Sequence, residues 1–319
     1  MTLLAFAAVA RVQADDASYI AGIVAKLPAD LWQRYQALNA AETRLPEYRD
    51  TDEALALKLA QLDHVNASRT RNGAGLVELD ILASRVANRQ AMEAAQNGFH
   101  GHWNLRGEKP YHRYAFAGGT DHVAENASWS STTGVFTRTS ELVSSMMVEA
   151  HGQFMAELAP NDGHKQNCIA REHTHVGLGF FLARSAFAYY EEFVDRYLEF
   201  IDPPFQAVAG NPVEIAVRPL KDGLYTYAVI TYYEPFPKAM TVAEVNAHSS
   251  YPDFTNVQDS AIWPWELRTD GGGVTRIPLA FSRPGLYYVH IYLDTSKPSR
   301  GRADTRGKVQ ASGLVIRVQ

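Results

Sequence analysis

Hydrophobic positions change their period along this chain. From Ser18 to about Arg49 an Ala/Leu-rich stretch reads as helical. In "EALALKLAQLDHVNASRTRNG", Leu55, Leu59 and Leu62 recur at helical spacing before Gly73 supplies a stop. That spacing predicts an amphipathic helix with one buried stripe. A second helix is predicted from the N-cap Asp80 through Leu82 and Val86 to Asn97-Gly98, with a small-residue face at Ala87, Ala91 and Ala94 that permits close packing. Ser, Thr and Gly between Trp129 and Arg138 predict a loop, after which "TSELVSSMMVEAHGQFMAEL" returns to helix until Pro160. "HTHVGLGFF" then alternates and predicts a strand, with a hairpin partner in the next apolar run.

Beyond Phe200 the pattern becomes that of an all-β region. "DPPF" reads as a rigid, extended linker, because each proline fixes its own φ and disfavours helix in the residue before it. Short alternating runs follow, "PVEIAVRP", "LYTYAVITYYEP", "VTRIPLAFS", "GLYYVHIYL" and "SGLVIRVQ", separated by Asp-Gly, Gly-Gly-Gly and Pro-Gly turns, the pattern of an antiparallel β-sandwich. In "GLYYVHIYL", Tyr287, Val289, Ile291 and Leu293 share one face. His290 falls on the other with Tyr288 and Tyr292 and is expected to be half-exposed. The helix candidate here is "TVAEVNAH".

Composition adds bounds. With 319 residues the chain exceeds the usual size of one domain, and 46% hydrophobic with 20% charged residues is a globular balance. Thirty basic against 35 acidic residues leave a net charge of −5 without a dense Lys/Arg block, so nucleic acid is not an expected partner. No run approaches the roughly 18 apolar residues of a membrane span. The start, "MTLLAFAAVARVQADD", resembles a secretory signal peptide without its positive n-region; residues 1–14 are read as a leader remnant, and a secreted or periplasmic location is expected. Cys168 is the single cysteine, so no internal disulfide forms; between Asn167 and Ile169 it is read as a buried apolar side chain and not as a nucleophile.

Candidate chemistry concentrates in "NDGHKQNCIAREHTHVGLGF", residues 161–180. His173 and His175 would point to the same side of a strand. His100 and His102 form a second His-x-His in "FHGHWN". Imidazoles and carboxylates are the ligand types zinc favours, yet no His-Glu-x-x-His pattern is present, so metal ligands and ordinary surface or hydrogen-bonded histidines both remain open. Ser128 and Ser130 lack a Gly-x-Ser-x-Gly elbow. His112, His122, His151 and His248 have no evident partners and are read as surface residues.

Several of these stretches, taken in order, resemble one family. "VNASRTRNGAGLVELDILASRVANRQA" is similar to the opening helix pair of the CAP superfamily, the SCP domain shared by cysteine-rich secretory, antigen 5 and pathogenesis-related proteins, with Asn66 and Arg69 at its Asn-x-x-Arg signature. "FHGHWN" resembles the segment with the family's first cavity histidine, "AENA" its Gly-Glu-Asn motif, "FMAE" its Trp-x-x-Glu, and "GHKQNCIAREHTHVGLGF" the bacterial stretch leading to a central strand. The match covers roughly residues 55–195. Phe154 stands for the usual Trp and Ala124 for the usual Gly.

The resemblance implies an α+β chain: a three-layer α-β-α CAP sandwich over residues 55–200 after a helical segment at 15–54, then an Ig-like all-β sandwich at 201–319. It implies a ligand-binding cavity of His102, Glu125, Glu157 and His164, with His100 the rival for the first place and Glu149 a rival of Glu157. His102 and His164 would hold a divalent cation such as zinc, or the four groups would satisfy one another by hydrogen bonds without one. His173 and His175 would be structural. Two functions follow: a non-enzymatic binder of a small or lipid-like ligand or cell-envelope component, or a metal-dependent, protease-like hydrolase with Glu125 or Glu157 as general base.

Overall fold

The computed structural model describes residues 15–248, 250–251, 257–296 and 304–319; the leader reading at residues 1–14 lies outside the described residues. The chain is α+β, 34% helical and 29% strand. It divides into two compact units.

The first unit holds residues 15–102, 125–171 and 175–193. Its helices begin with α1, residues 15–24, and α2, Ala29–Ala41. The helical stretch expected from Ser18 to about Arg49 thus holds two helices, with Pro28 preceding the first turn of α2. Helix α3, Asp52–Arg71, is capped by Thr51, whose hydroxyl accepts from Ala54 N; acidic Asp52 and Glu53 open it and basic Arg69 and Arg71 close it, both complementing the helix dipole. Helix α4, Ile81–Asn97, starts on the Asp80 cap and stops at Gly98, whose φ of 75° is left-handed. Two further helices, α6 and α7, are Ser140–Ala156 and Gly163–Ile169.

A four-stranded sheet runs through the unit in the order β1-β3-β4-β2. The strands are β1, Glu78–Leu79, β2, His122–Ser131, β3, His175–Leu182, and β4, Ala186–Asp195, of which residues 125–131 of β2 and 186–193 of β4 belong to this unit. Strand β1 pairs with β3 in parallel, Glu78 opposite His175. β3 shows why "VGLGF" alternates: Val176 and Leu178 enter the core with Leu55, Leu59, Met147 and Phe187. Gly177 and Gly179 face α4 so closely that a Cβ on Gly177 would lie 2.3 Å from the backbone of Ala83 and one on Gly179 2.2 Å from that of Ala87. The small face anticipated on α4 thus meets glycines. Strand β2 was not anticipated, and it absorbs Trp129–Ser131 from the expected loop.

The second unit comprises residues 103–124, 172–174 and the described part of 194–319. It contains α5, Pro110–Phe116, and α8, Val242–Asn246, with two sheets. One has the order β10-β11-β7-β5, formed by Arg268–Thr269, Thr275–Ala280, Pro212–Pro219 and Leu198–Ile201. The other has the order β6-β14-β12-β8-β9, formed by Gln206–Ala207, Leu314–Val318, Gly285–Asp294, Tyr225–Glu234 and Gln258–Ile262, with β13, Val309–Gln310, on β12. Ile215, Val217 and Ile277 of the first sheet share a core with Val229, Val289, Ile291 and Ile316 of the second. Strand β11 alternates strictly, buried then exposed, as a sheet with one wet face should.

Strand β12 corrects the expectation for His290, which is 2% exposed. The opposite face of β12 is covered as well, since Tyr111 packs edge-on to Tyr288 and Tyr232 lies 5.2 Å from the His290 ring. Burial, with His122 nearby, holds the His290 imidazole down to about 3.

Candidate functional site

His102, Glu125, Glu157 and His164 all lie in the first unit and meet as two pairs. Glu125 is on β2 and buried; its Oε1 is 2.9 Å from His102 Nδ1. Glu157 ends α6 and turns its carboxylate onto the start of α7: Oε2 accepts from the backbone N–H groups of His164, at 2.9 Å, and Lys165, at 3.4 Å, while Oε1 lies 2.5 Å from His164 Nδ1. A carboxylate there satisfies otherwise unpaired amides and the positive end of the helix. The turn after α6 therefore returns His164 to Glu157, seven residues back. The His102 and His164 rings are 6.1 Å apart, and Phe154 lies 4.9 Å from His164. Side-chain exposures of 11% and 0% for His102 and Glu125 against 32% and 25% for His164 and Glu157 give the cluster one buried and one open half.

The two rivals are elsewhere. His100 packs against Trp129 at 6.1 Å, and Glu149 is exposed, accepting from Gln153. His175 opens β3, and His173 belongs to the second unit, where its Nδ1 is 2.6 Å from Asp195 Oδ1. Ser128 and Ser130 lie on β2. Asn66 exchanges two hydrogen bonds with the backbone of Val77, and Arg69 donates to the carbonyls of Gly75 and Cys168 at 2.7 Å, so both hold loops.

Three histidines read as surface residues are not. His151 is 3% exposed, with Nδ1 2.8 Å from Glu191 Oε1; His112 is 1% exposed beside Glu234 and Tyr288; His122 is half-buried, 2.8 Å from Asp195. His248 is exposed and stacks on Trp103. Each of the three forms a carboxylate pair with a residue distant in the chain, which no local spacing reveals.

Beneath the open pair, His151 of α6, Cys168 of α7 and Glu191 of β4 bring three donor atoms within 4.8 Å of one another, and this group could hold a metal ion. It is the single group of three such donors that close among the described residues; His102, Glu125, Glu157 and His164 do not form a second. Burial lowers an imidazolium's pKa, but the Glu191 charge and hydrogen bond outweigh it and raise that of His151. Burial raises a carboxyl's pKa, yet His151, Tyr189 and Cys168 leave Glu191 below the usual range. Burial and the Glu191 charge push the Cys168 thiol far up, so it is a neutral thiol and no nucleophile. Asn126 joins the two layers: its Nδ2 is 3.1 Å from the His164 carbonyl oxygen, 3.1 Å from Cys168 Sγ and 3.3 Å from Glu191 Oε2. One sequence signal pointed here, a Glu-Glu pair inside the apolar run "AFAYYEEFV", since a charge in a fully buried strand needs a partner.

No helix among the described residues is long and apolar enough to cross a membrane. No family model and no curated protein matches the chain. Among solved structures, it is similar to an extracellular protein containing an SCP domain from Bacillus anthracis str. Ames, at 16% identity and a TM-score of 0.33, over 43% of this chain and 40% of that one.

Proposed function

We propose that residues 55–200 form an SCP-type unit, preceded by the helical segment 15–54 and followed by an Ig-like sandwich at 201–319, in a secreted protein that binds a small or lipid-like ligand or envelope component without turning it over. The observation that carries this reading is the pairing of His102 with Glu125 and of His164 with Glu157, with the two rings 6.1 Å apart and one pair open. Such a cluster offers a ligand both hydrogen-bond donors and acceptors at fixed positions. Export is supported by the leader-like apolar run of residues 3–10.

The donor set also fits a divalent cation such as zinc. Each Nδ1 is held by its carboxylate, the arrangement that orients a ligating histidine. His102 and His164 would hold it, Glu125 and Glu157 would fix the rings, and the ion would supply a Lewis-acidic position for an anionic or carbonyl group.

Thermal-shift measurement against sterols, fatty acids and glycans, with mass spectrometry of molecules retained by untagged protein, tests the reading. A wild-type shift that weakens in His164→Ala is expected. Absence of any retained or stabilising compound overturns the binder. Hydrolysis by the wild type that disappears in His164→Ala overturns it in favour of a hydrolase with Glu125 or Glu157 as base.

A further inference from the structure

We propose that His151, Cys168 and Glu191 form a second, fully buried site for a zinc-type cation, within the core of the first unit and independent of the His102/His164 pair. The three come from α6, α7 and β4, and all are buried. His151 Nδ1 is 2.8 Å from Glu191 Oε1, and Cys168 Sγ is 3.4 Å from Glu191 Oε2. A tetrahedral ion with metal–nitrogen and metal–oxygen distances near 2.0 Å and metal–sulfur near 2.3 Å separates neighbouring donors by roughly 3.3–3.6 Å. These two separations need less than about 1 Å of adjustment, and the His151 and Cys168 donors, within 4.8 Å of each other, close by at most roughly 1.5 Å to reach coordination.

The surroundings suit such an ion. Tyr189 OH donates to Glu191 Oε1 at 2.9 Å and Asn126 Nδ2 approaches Glu191 Oε2, so the carboxylate is already oriented, as ligands of tightly held ions are. Thiolate and imidazole select zinc and its neighbours over magnesium or calcium, which prefer all-oxygen shells.

Coordination would replace the His151–Glu191 and Cys168–Glu191 hydrogen bonds by metal–nitrogen, metal–oxygen and metal–sulfur bonds, with the Cys168 S–H proton released to solvent. Because Cys168 and His164 share α7, the ion would also pin the helix that presents His164 to the groove.

Cobalt titration of the metal-stripped full chain tests this. Wild type is expected to develop a near-ultraviolet thiolate-to-cobalt band that saturates at one thiolate-bound cobalt per chain, with the thiol proton released in a dye assay and zinc bleaching the band. The band should persist in the His102→Ala/His164→Ala double variant and vanish in Cys168→Ser. Absence of the band in wild type, or its survival in Cys168→Ser, overturns the proposal. Loss of the band in the double variant with retention of fold overturns its independence from the groove. Should Cys168→Ser fail to fold, the wild-type band and proton release decide alone.

Discussion

Replacing Asn126 by alanine removes a side chain that hydrogen-bonds both the His164 carbonyl and Glu191. It is 1% exposed. Its two amide protons serve the His164 carbonyl at 3.1 Å, Cys168 Sγ at 3.1 Å and Glu191 Oε2 at 3.3 Å, and its oxygen accepts from Asn167 at 2.9 Å. The neutral bonds to His164 and from Asn167 contribute about 1 kcal/mol each, and the longer one to a charged carboxylate about 1 kcal/mol more. Glu191 and Cys168 are buried while His164 and Asn167 are partly exposed, so the loss reaches at most the sum, about 3 kcal/mol. A unit of this size changes its melting temperature by about 2–4 °C per kcal/mol, giving a fall of at most roughly 6–12 °C. Peptide-resolved hydrogen exchange keeps the two units apart and should place the loss of protection in α7, β2 and β4. A cost below about 0.5 kcal/mol, the range of surface substitutions, would refute the claim that Asn126 ties these elements together.

Other perturbations have equally definite outcomes. Asp50→Ala strands the Lys58 ammonium, now 2.8 Å from Asp50 with both side chains at most 1% exposed, and should cost about 3–5 kcal/mol in urea unfolding; adding Lys58→Met should recover most of it, and no recovery would contradict an unpaired buried charge as the cause. Gly177→Ala drives a Cβ into the Ala83 backbone and should cost at least about 1–3 kcal/mol, whereas Gly152→Ala, with nothing within 4 Å, should stabilise α6 by about 0.5–1 kcal/mol. Equal effects of the two substitutions in calorimetry would count against the tight contact of α4 with β3. In the second unit, burial would raise Asp195, but bonds to His122 and His173 lower it from 3.8 to about 2. Its folded pKa is depressed, so the contribution, about 2 kcal/mol, is present above pH 3.8 and lost as pH falls toward 2. Asp195→Asn should flatten the stability profile of the second unit across that window, and an unchanged acid limb would sink the assignment.

What could be read in the sequence was local. Asp80, Gly73 and Gly98 bound helices by chemistry acting within a few residues, and the alternation of β11 needs only a sheet with an inside. Strand β2 escaped because polar His122, Glu125, Asn126 and Ser128 interrupt any period; their partners, such as His102, are supplied by other segments. The same cause hid His151, His112 and the burial of His290: each is fixed by a residue 40 or more positions away, or by α5 and neighbouring strands folding over it. His102, Glu125, Glu157 and His164 could be named from the order of the motifs, whereas their arrangement as two separate carboxylate–imidazole pairs, one buried and one open, required coordinates.

Ring-nitrogen NMR of the histidines during titration with a compound that stabilises the protein bears most directly on the groove. Binding there should move the His102 and His164 resonances together, with the same midpoint, and leave His112 and His290 unmoved. Saturable binding that shifts neither His102 nor His164 would show that these four side chains do not form the ligand site.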